Sequence, residues 1–320
     1  PGCGKTYRLI EEIRGALDRG TSPSRIGVIS FTRKAIEEMV GRACAEFQLE
    51  PKDFPFMRTS HSFGFRGLGL QVTDIMNKED YDNVGRDVGL TFEGRMSNAL
   101  DDGLAVPSIG GSGADYLQMV GRARLRMVTL DQEYNEASDR SLHYPKLVQL
   151  HNQIEEYKRS TNKFDYVDMI DKYIQVGEPP SLDYLFVDEA QDFTPMQWEM
   201  VSKIAEHADQ VFIAGDDDQA IHRCTGVDVQ LFNKCTDNIE VLDQSYRIPS
   251  SVHNLAKIVA NRIDDRHLKV FKPREEEGLV EWIYHLEDAP LHEGSWTLMA
   301  RTNGFVHDMA KKIKEMGFKF

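Results

Sequence analysis

The chain has 320 residues, of which 41% are hydrophobic, and a formal net charge of −14 at pH 7. This size and composition predict one to three globular domains, and no apolar run approaches the roughly 18 residues of a membrane-spanning helix. The acidic excess argues against a broad basic surface, so a nucleic-acid site would have to be a local groove.

The N-terminus shows no signal-peptide pattern, and the four cysteines are scattered without a Cys-x-x-Cys pair. These features predict a reduced, cytoplasmic protein with neither a zinc site nor a disulfide framework. The charge is unevenly distributed, because residues 1–64 carry ten Lys and Arg against eight Asp and Glu. Most of the negative charge therefore lies after residue 64.

The chain opens with PGCGKT, which matches the last six positions of the phosphate-binding loop G-x-x-x-x-G-K-[ST]. In such a loop Lys5 would reach the terminal phosphates of a nucleotide and the Thr6 hydroxyl would bind Mg²⁺. The amphipathic helix that follows would point its positive N-terminus at the same anion. The predicted nucleotide-binding residues of this loop are Gly2, Cys3, Gly4, Lys5 and Thr6. Because the motif starts part-way through, the sequence is interpreted as a fragment without its first strand.

Two strand-to-helix turns come next. Residues 25–31 (RIGVISF) are predicted to form a buried strand, and Thr32 to cap the following helix. A similar turn is predicted at residues 59–63 (TSHSF). Aromatic, hydroxyl and basic side chains at strand ends are suited to stacking bases and contacting phosphates. Taken singly, such residues are more often core phenylalanines and capping threonines.

Residues 65–159 differ in composition from the preceding segment, with polar helix-forming residues and no long β-branched run. They predict a mainly helical insertion with a flexible loop at residues 107–115 (PSIGGSGAD). The basic cluster Arg122, Arg124 and Arg126 is interpreted as a solvated face, or alternatively as a contact to a nucleic-acid strand. A helix is predicted to begin within residues 164–170.

An apolar strand at residues 182–187 leads directly into acidic residues. The carboxyl ends of parallel strands are where α/β sheets present ligands and catalytic groups. A P-loop enzyme needs one acid to hold Mg²⁺ and another to orient the attacking water, and Asp188 and Glu189 suit these roles. Thr194 and Pro195 predict the start of a helix over residues 196–206.

The rest of the chain repeats this pattern. A strand at residues 210–214 ends in a polar turn where Gln219 could bind a terminal phosphate. Further on, Tyr246 and Arg247 suit a stacking aromatic and a charge-stabilising arginine finger. A helix with an apolar face is predicted over 252–259, strands over 279–284 and 296–300, and a last helix ending at Gly317.

Six of these motifs, in this order, resemble the UvrD/Rep-like superfamily 1 DNA helicases: PGCGKT, VISFTRKAIEEM, RTSHSF, FVDEAQDFTPMQ, FIAGDDDQAI and LDQSYR. The resemblance covers nearly the whole chain except residues 65–159. It implies an α/β fold: a P-loop, RecA-like parallel sheet at 1–64 and 160–245, the mainly helical insertion at 65–159, and the start of a second RecA-like domain at 246–320.

The resemblance also implies the residue roles. Lys5 and Thr6 would hold the β- and γ-phosphates and Mg²⁺, with Asp188 as a second Mg²⁺ ligand. Glu189 would activate water and Gln219 would sense the γ-phosphate. From the second domain, Tyr246 would stack on adenine and Arg247 would act as the arginine finger. The residues that would face DNA are Phe31, Thr32, Arg33, Thr59 and His61.

The implied function is ATP-dependent movement along single-stranded DNA, with 3′ to 5′ polarity and strand separation at duplex junctions, without a membrane partner. Alternatives are a motor subunit of a helicase–nuclease complex and a nucleotide-binding switch that does not translocate. The family usually has a Trp where this sequence has Cys224, which removes a base-stacking contact worth ~1–3 kcal/mol. The adenine-reading motif and two late motifs are absent, so these 320 residues alone are expected to hydrolyse ATP poorly.

Overall fold

The structure is a computed structural model that describes residues 2–94, 110–137, 141–264 and 266–319. At its centre lies a four-stranded sheet in which all neighbouring strands are parallel, in the order β2-β1-β3-β4. The strands are β1 (Ile26–Ser30), β2 (Phe56–Thr59), β3 (Leu182–Asp188) and β4 (Ala208–Ile213). None of the helices in the described ranges is long and apolar enough to cross a lipid bilayer.

The register of the sheet brings polar residues from three strands to one edge. Ser30, the last residue of β1, lies opposite Thr59 of β2 and Asp188 of β3. Because the strands are parallel, all their carboxyl ends open on this edge. The sheet therefore places side chains from distant parts of the sequence beside each other.

Helices cover both faces of the sheet, as the alternation of side chains along the strands requires. On one face, Val28 and Phe186 pack against α1 (Lys5–Asp18) and α2 (Arg33–Phe47). On the other face, Leu185 and Val187 pack with α8 (Tyr166–Val176) and α9 (Pro195–Ala205). The sequence-based prediction of an α/β fold with a parallel sheet is confirmed.

Several local predictions are also confirmed. Thr32 caps α2 by accepting a hydrogen bond from the backbone N–H of Ala35 at 3.2 Å. The hydroxyl of Thr194 accepts from Gln197, and Pro195 is the first residue of α9. The short helix α3 (Ser60–Gly67) begins at the turn after β2, where Thr59 is its N-cap.

The described residues between β2 and α8 are mainly helical. They contain α4 (Lys78–Val88), α5 (Ala114–Leu125), α6 (Leu130–Glu136) and α7 (Tyr144–Thr161). Buried residues of α4, α5 and α7, such as Tyr81, Leu117 and Leu150, form a separate hydrophobic cluster. Of the loop predicted at 107–115, residues 107–109 lie outside the described residues, whereas Gly110 exchanges two backbone hydrogen bonds with Glu93.

The C-terminal part contains α10 (Val229–Asn233), α11 (Ser250–Ala260) and α12 (Asn303–Glu315). The predicted strands at 279–284 and 296–300 are wrong, because both ranges are described and neither forms regular structure. A strand needs a neighbour to pair its backbone N–H and C=O groups, and no segment of the described ranges pairs with these runs. Their apolar side chains are accordingly exposed, 83% at Trp282 and 96% at Tyr284.

The three arginines predicted to form a solvated face are instead paired with acids. Arg122 and Arg126 both contact the buried carboxylate of Glu133. Arg124 bonds Asp165 at 2.7 Å and Asp168 at 2.5 Å, and Lys158 reaches the same two carboxylates. Burial raises the pKa of Asp165, but Arg124 and Lys158 outweigh that effect and hold it below its ordinary value. This buried ion cluster joins α5 and α7 to α8, which packs against one face of the sheet.

We expect Arg124→Met to lower the free energy of unfolding by about 3–5 kcal/mol, because it leaves buried carboxylates without sufficient positive charge. Arg42→Met is the control, since Arg42 forms an exposed pair with Glu38 that contributes about 0–1 kcal/mol. Urea denaturation of both variants measures the difference. Equal losses in the two variants would show that the buried ion cluster does not stabilise the fold.

Candidate functional site

The opening loop has the backbone of a phosphate-binding turn. Gly2 and Gly4 have φ angles of 69° and 82°, in the left-handed region that glycine adopts at no steric cost. Gly4 is the N-cap of α1 and supplies no side-chain bond to its first turn. The N–H groups of that turn and the positive end of a 14-residue helix are therefore available to an anion.

The acidic motif lies at the end of β3. The carboxyl group of Asp188 is buried, with the residue 2% exposed, and it accepts a hydrogen bond from the N–H of Glu189 at 3.0 Å. Glu189 has φ 50° and ψ 40°, a left-handed conformation that costs a non-glycine residue about 1–2 kcal/mol. A backbone bond from Ala190 to the Ala214 oxygen holds this turn against the end of β4. The fold thus fixes Glu189 in a strained position beside Asp188.

Gln191 connects the acids to the neighbouring strand. Its amide nitrogen donates to Glu189 Oε2 at 2.9 Å and to Asp192 Oδ2 at 3.0 Å. Its amide oxygen accepts from the N–H of Asp216 at 2.9 Å. A side chain on Gly215 would collide with this oxygen, since a Cβ there would lie 2.8 Å away. No role is predicted for Gln191 from the sequence. Its position between the carboxylates of Glu189 and Asp192, directly after an apolar strand, is the sequence feature that indicates one.

The acidic motif at residues 188–192 contains no basic residue. Burial, followed by the repulsion of Glu189, raises the pKa of Asp188 to about 6 and that of Asp192 to about 7, and the charge of Lys5 opposes both shifts. One oxygen of Asp192 is buried without a hydrogen-bond partner among the described residues. Carboxylate oxygens without a protein partner are ligands that Mg²⁺ prefers. The residues present therefore fit a magnesium ion.

These shifts predict a pH-dependent stability. Between about pH 4 and pH 7 the folded protein keeps a proton on Asp192 that the unfolded chain releases, so this group's contribution to stability is lost as pH rises. We expect Asp192→Asn, without added metal, to be more stable than the unsubstituted protein at pH 8 and to lose this advantage toward pH 4.5. Urea midpoints at both pH values test this, and a pH-independent difference would contradict it.

The turn after β4 holds Gln219. Its amide nitrogen donates to Asp216 Oδ2, and the other Asp216 oxygen is 2.9 Å from Lys269 Nζ. Burial raises the pKa of Asp216, but Lys269 outweighs it and brings the pKa to about 2. Carboxylate oxygens of Asp216, Asp217 and Asp218 lie within 4.8 Å of one another, and Lys269 and Arg266 form ion pairs with them. This cluster is occupied by the protein's own cations.

A segment from the C-terminal part reaches the opening loop. The N–H of Tyr246 donates to the Gly2 oxygen at 3.0 Å. A Cβ on Gly2 would lie 2.4 Å from Cβ of Arg247, so only glycine permits this approach. The buried hydroxyl of Ser245 accepts from the N–H of Ile248 at 3.2 Å and fixes this turn. Tyr246 is 73% exposed, and Arg247 is exposed beside the loop.

The residues predicted to face DNA lie at the ends of β1 and β2, but most are buried. Phe31 is 3% exposed and lies 5.2 Å from the ring of His222. Thr32 and Thr59 use their hydroxyls as helix N-caps. Arg33 is exposed and pairs with Glu37 at 2.8 Å. The fifth residue of this set, His61, is described next.

His61 is fully buried, and its ring nitrogens have no hydrogen-bond partner within the described ranges. Burial lowers its pKa to about 4, so the ring is neutral at physiological pH. Its edge contacts Tyr166, with ring centroids 6.4 Å apart. Contact of His61 with DNA remains a prediction, and in the structure as it stands only Thr32 and Arg33 of the predicted set are accessible.

The chain is similar to known proteins over most of its length. The sequence model of the UvrD/REP helicase N-terminal domain matches residues 1–240. The chain is 25% identical over 288 residues to the ATP-dependent DNA helicase PcrA of Staphylococcus epidermidis, covering 84% of this chain and 38% of that protein. PcrA of Staphylococcus aureus shows the same values, and PcrA of Leuconostoc citreum is 24% identical over 280 residues, covering 83% and 37%. The chain thus spans about 38% of the length of these relatives. Because the family domain matches three quarters of this chain, the chain belongs to the UvrD/REP helicase family.

Proposed function

We propose that this chain is the nucleotide-binding core of an ATP-driven motor that moves 3′ to 5′ along single-stranded DNA and separates strands at duplex junctions. The observation that supports the proposal is a series of contacts between distant segments. Arg247 lies against the opening loop at Gly2, the charge of Lys5 in that loop opposes the rise that burial causes in the pKa of Asp188, and the acidic motif after β3 is hydrogen-bonded to the turn after β4. Helicase-family membership implies use of ATP and action on DNA.

Within this proposal, the loop N–H groups and Lys5 bind the β- and γ-phosphates, and the exposed ring of Tyr246 stacks on adenine. Glu189 accepts a proton from the attacking water, a role suited to a carboxylate held by the Gln191 amide. Arg247 neutralises charge that develops on the γ-phosphate, and Gln219 contacts that phosphate. Thr6 and Asp188 would hold Mg²⁺, which when bound neutralises phosphate oxygens.

Single-stranded DNA is proposed to cross the carboxyl ends of β1 and β2, where Thr32 and Arg33 are accessible. Phe31 would join this surface if His222 moved from its ring. The domain division into 1–64 with 160–245, 65–159, and 246–320 is part of the same proposal. Partners such as a nuclease subunit or replication proteins belong to the alternative in which the motor works within a complex.

A pair of substitutions tests the nucleotide site. Lys5→Ala should abolish binding of a fluorescent ATP analogue, whereas Glu189→Gln should keep binding and lose turnover by about 10²–10⁴-fold. ATP hydrolysis by the gene product containing these 320 residues should rise when single-stranded DNA is added. Nucleotide binding without DNA stimulation would favour a switch, and absence of nucleotide binding would refute the proposal.

A further inference from the structure

A basic segment that follows α11 returns to the turn after β4. Lys269 lies 2.9 Å from Asp216 Oδ1 and also contacts the carboxylate of Asp217. Arg266 pairs with Asp218 at 2.7 Å. The backbone N–H of His267 also donates to Asp217. Two cations from the C-terminal part therefore hold a turn that belongs to the sheet.

The contacts of Asp216 distinguish Lys269 from the other cation. One oxygen of this carboxylate faces Lys269, and the other accepts the amide of Gln219. The first oxygen also accepts the N–H of Asp218 at 3.3 Å. Because a carboxylate is planar, one fixed oxygen together with the Cβ–Cγ bond fixes the position of the second oxygen. The Lys269 ammonium therefore sets where the Gln219 amide lies.

Burial strengthens the ion pair between Lys269 and Asp216. The side chains of Lys269 and Asp216 are 10% and 6% exposed, so solvent screens the pair little. Without Lys269, Asp216 would be a buried carboxylate facing two further acids. The side chains of Arg266 and Asp218 are equally buried, each 11% exposed, but among the described hydrogen bonds the Gln219 amide nitrogen donates to Asp216 and to neither of them.

We propose that Lys269 is a positioning residue for the recognition of the terminal phosphate: it holds Asp216, which in turn holds the Gln219 amide toward the nucleotide. This inference rests on the proposed function, in which Gln219 contacts the γ-phosphate. It gives the segment after α11, which lies outside the motifs recognised in the sequence, a part in distinguishing ATP from ADP. The C-terminal part would then contact the nucleotide site at two points, Arg247 and Lys269.

The test is nucleotide discrimination by the 320-residue chain, which requires binding and no turnover. Fluorescent N-methylanthraniloyl derivatives of ADP and of a non-hydrolysable ATP analogue are titrated with Mg²⁺ present. We expect Lys269→Met to reduce the preference for the triphosphate by about 10-fold, the effect of losing one hydrogen bond to a charged group, with ADP affinity unchanged. Lys269→Arg should retain the preference, because a guanidinium can also bridge the two carboxylates.

Two controls separate positioning from stabilisation. Arg266→Met removes a comparably buried ion pair and should leave the triphosphate preference unchanged. Adding Lys269→Met to Gln219→Ala should cause no further loss, because both act through one contact. Should Lys269→Met fail to fold, Lys269→Gln, which keeps a neutral donor, replaces it in each comparison.

The outcomes are distinct. Equal loss of preference in the Lys269 and Arg266 variants, or additive loss with Gln219→Ala, would overturn the positioning role while leaving the proposed function intact. If the unsubstituted chain binds neither nucleotide, or binds both equally, the proposed role of the site itself fails.

Discussion

Replacing Arg247 with alanine should lower ATP turnover by about 10³–10⁵-fold, the range typical of arginine fingers. The substitution should not disturb the packing of the opening loop. Alanine retains the Cβ that lies against Gly2, and the backbone hydrogen bond from Tyr246 to the Gly2 oxygen is unaffected. The loop should therefore keep its shape and bind ADP normally. Steady-state hydrolysis with single-stranded DNA, in the gene product containing these 320 residues, measures the effect.

Arg262→Ala is the matched control for this substitution. Arg262 is an exposed arginine of the same C-terminal part, just after α11, and should leave turnover within about two-fold of the unsubstituted protein. A loss in Arg247→Ala of less than about 10-fold would mean that Arg247 does not neutralise charge in the transition state. A weakened ADP affinity would instead assign it to ground-state binding.

Replacing Gln191 with glutamate should lower turnover by about 10²-fold, the lower end of what a positioned base contributes. The amide nitrogen now donates to Glu189 and Asp192, and a carboxylate in its place repels both. Nucleotide affinity should change much less, since Gln191 is 2% exposed and lies behind Glu189. The loss should be smaller at pH 6 than at pH 8, because a protonated glutamate regains a donor.

Gln197→Met controls for the loss of a buried amide. Gln197 is 1% exposed and bonds Ser60 and Thr194, away from Glu189. Its substitution should destabilise the fold by a similar amount, about 1–3 kcal/mol, and leave turnover per folded molecule unchanged. If the two variants lose turnover equally, Gln191 serves only the fold. A loss in Gln191→Glu that is independent of pH would argue against its hydrogen bond to the base.

Much of the site was predictable from the sequence because its residues follow strands. A buried strand that ends in Asp188, and a second strand, at the sheet edge, that ends before Asp216, place their polar turns at one edge of any parallel sheet. The capping roles of Thr32 and Thr194 depend only on neighbouring residues, so local patterns sufficed for them. The fold class followed from the same regularities.

The remaining features depend on contacts between distant segments, which a local pattern does not encode. The charge of Arg124 predicted a solvated side chain, but two acids at the start of α8 form ion pairs with it in the interior. Residues 279–284 have the composition of a strand, yet strand formation is decided by a partner. The burial of His61 and the pairing of Lys269 with Asp216 likewise follow only from the folded arrangement.

The buried ion cluster has a mechanical consequence. Arg124 and Lys158 lie on α5 and α7, whereas Asp165 and Asp168 lie at the start of α8, which packs under β3. Rotating α5 and α7 relative to the sheet would break four buried charge contacts simultaneously. These helices should therefore move as one rigid body with the sheet, and a hinge of the molecule is expected outside them, in the chain near residues 244–249.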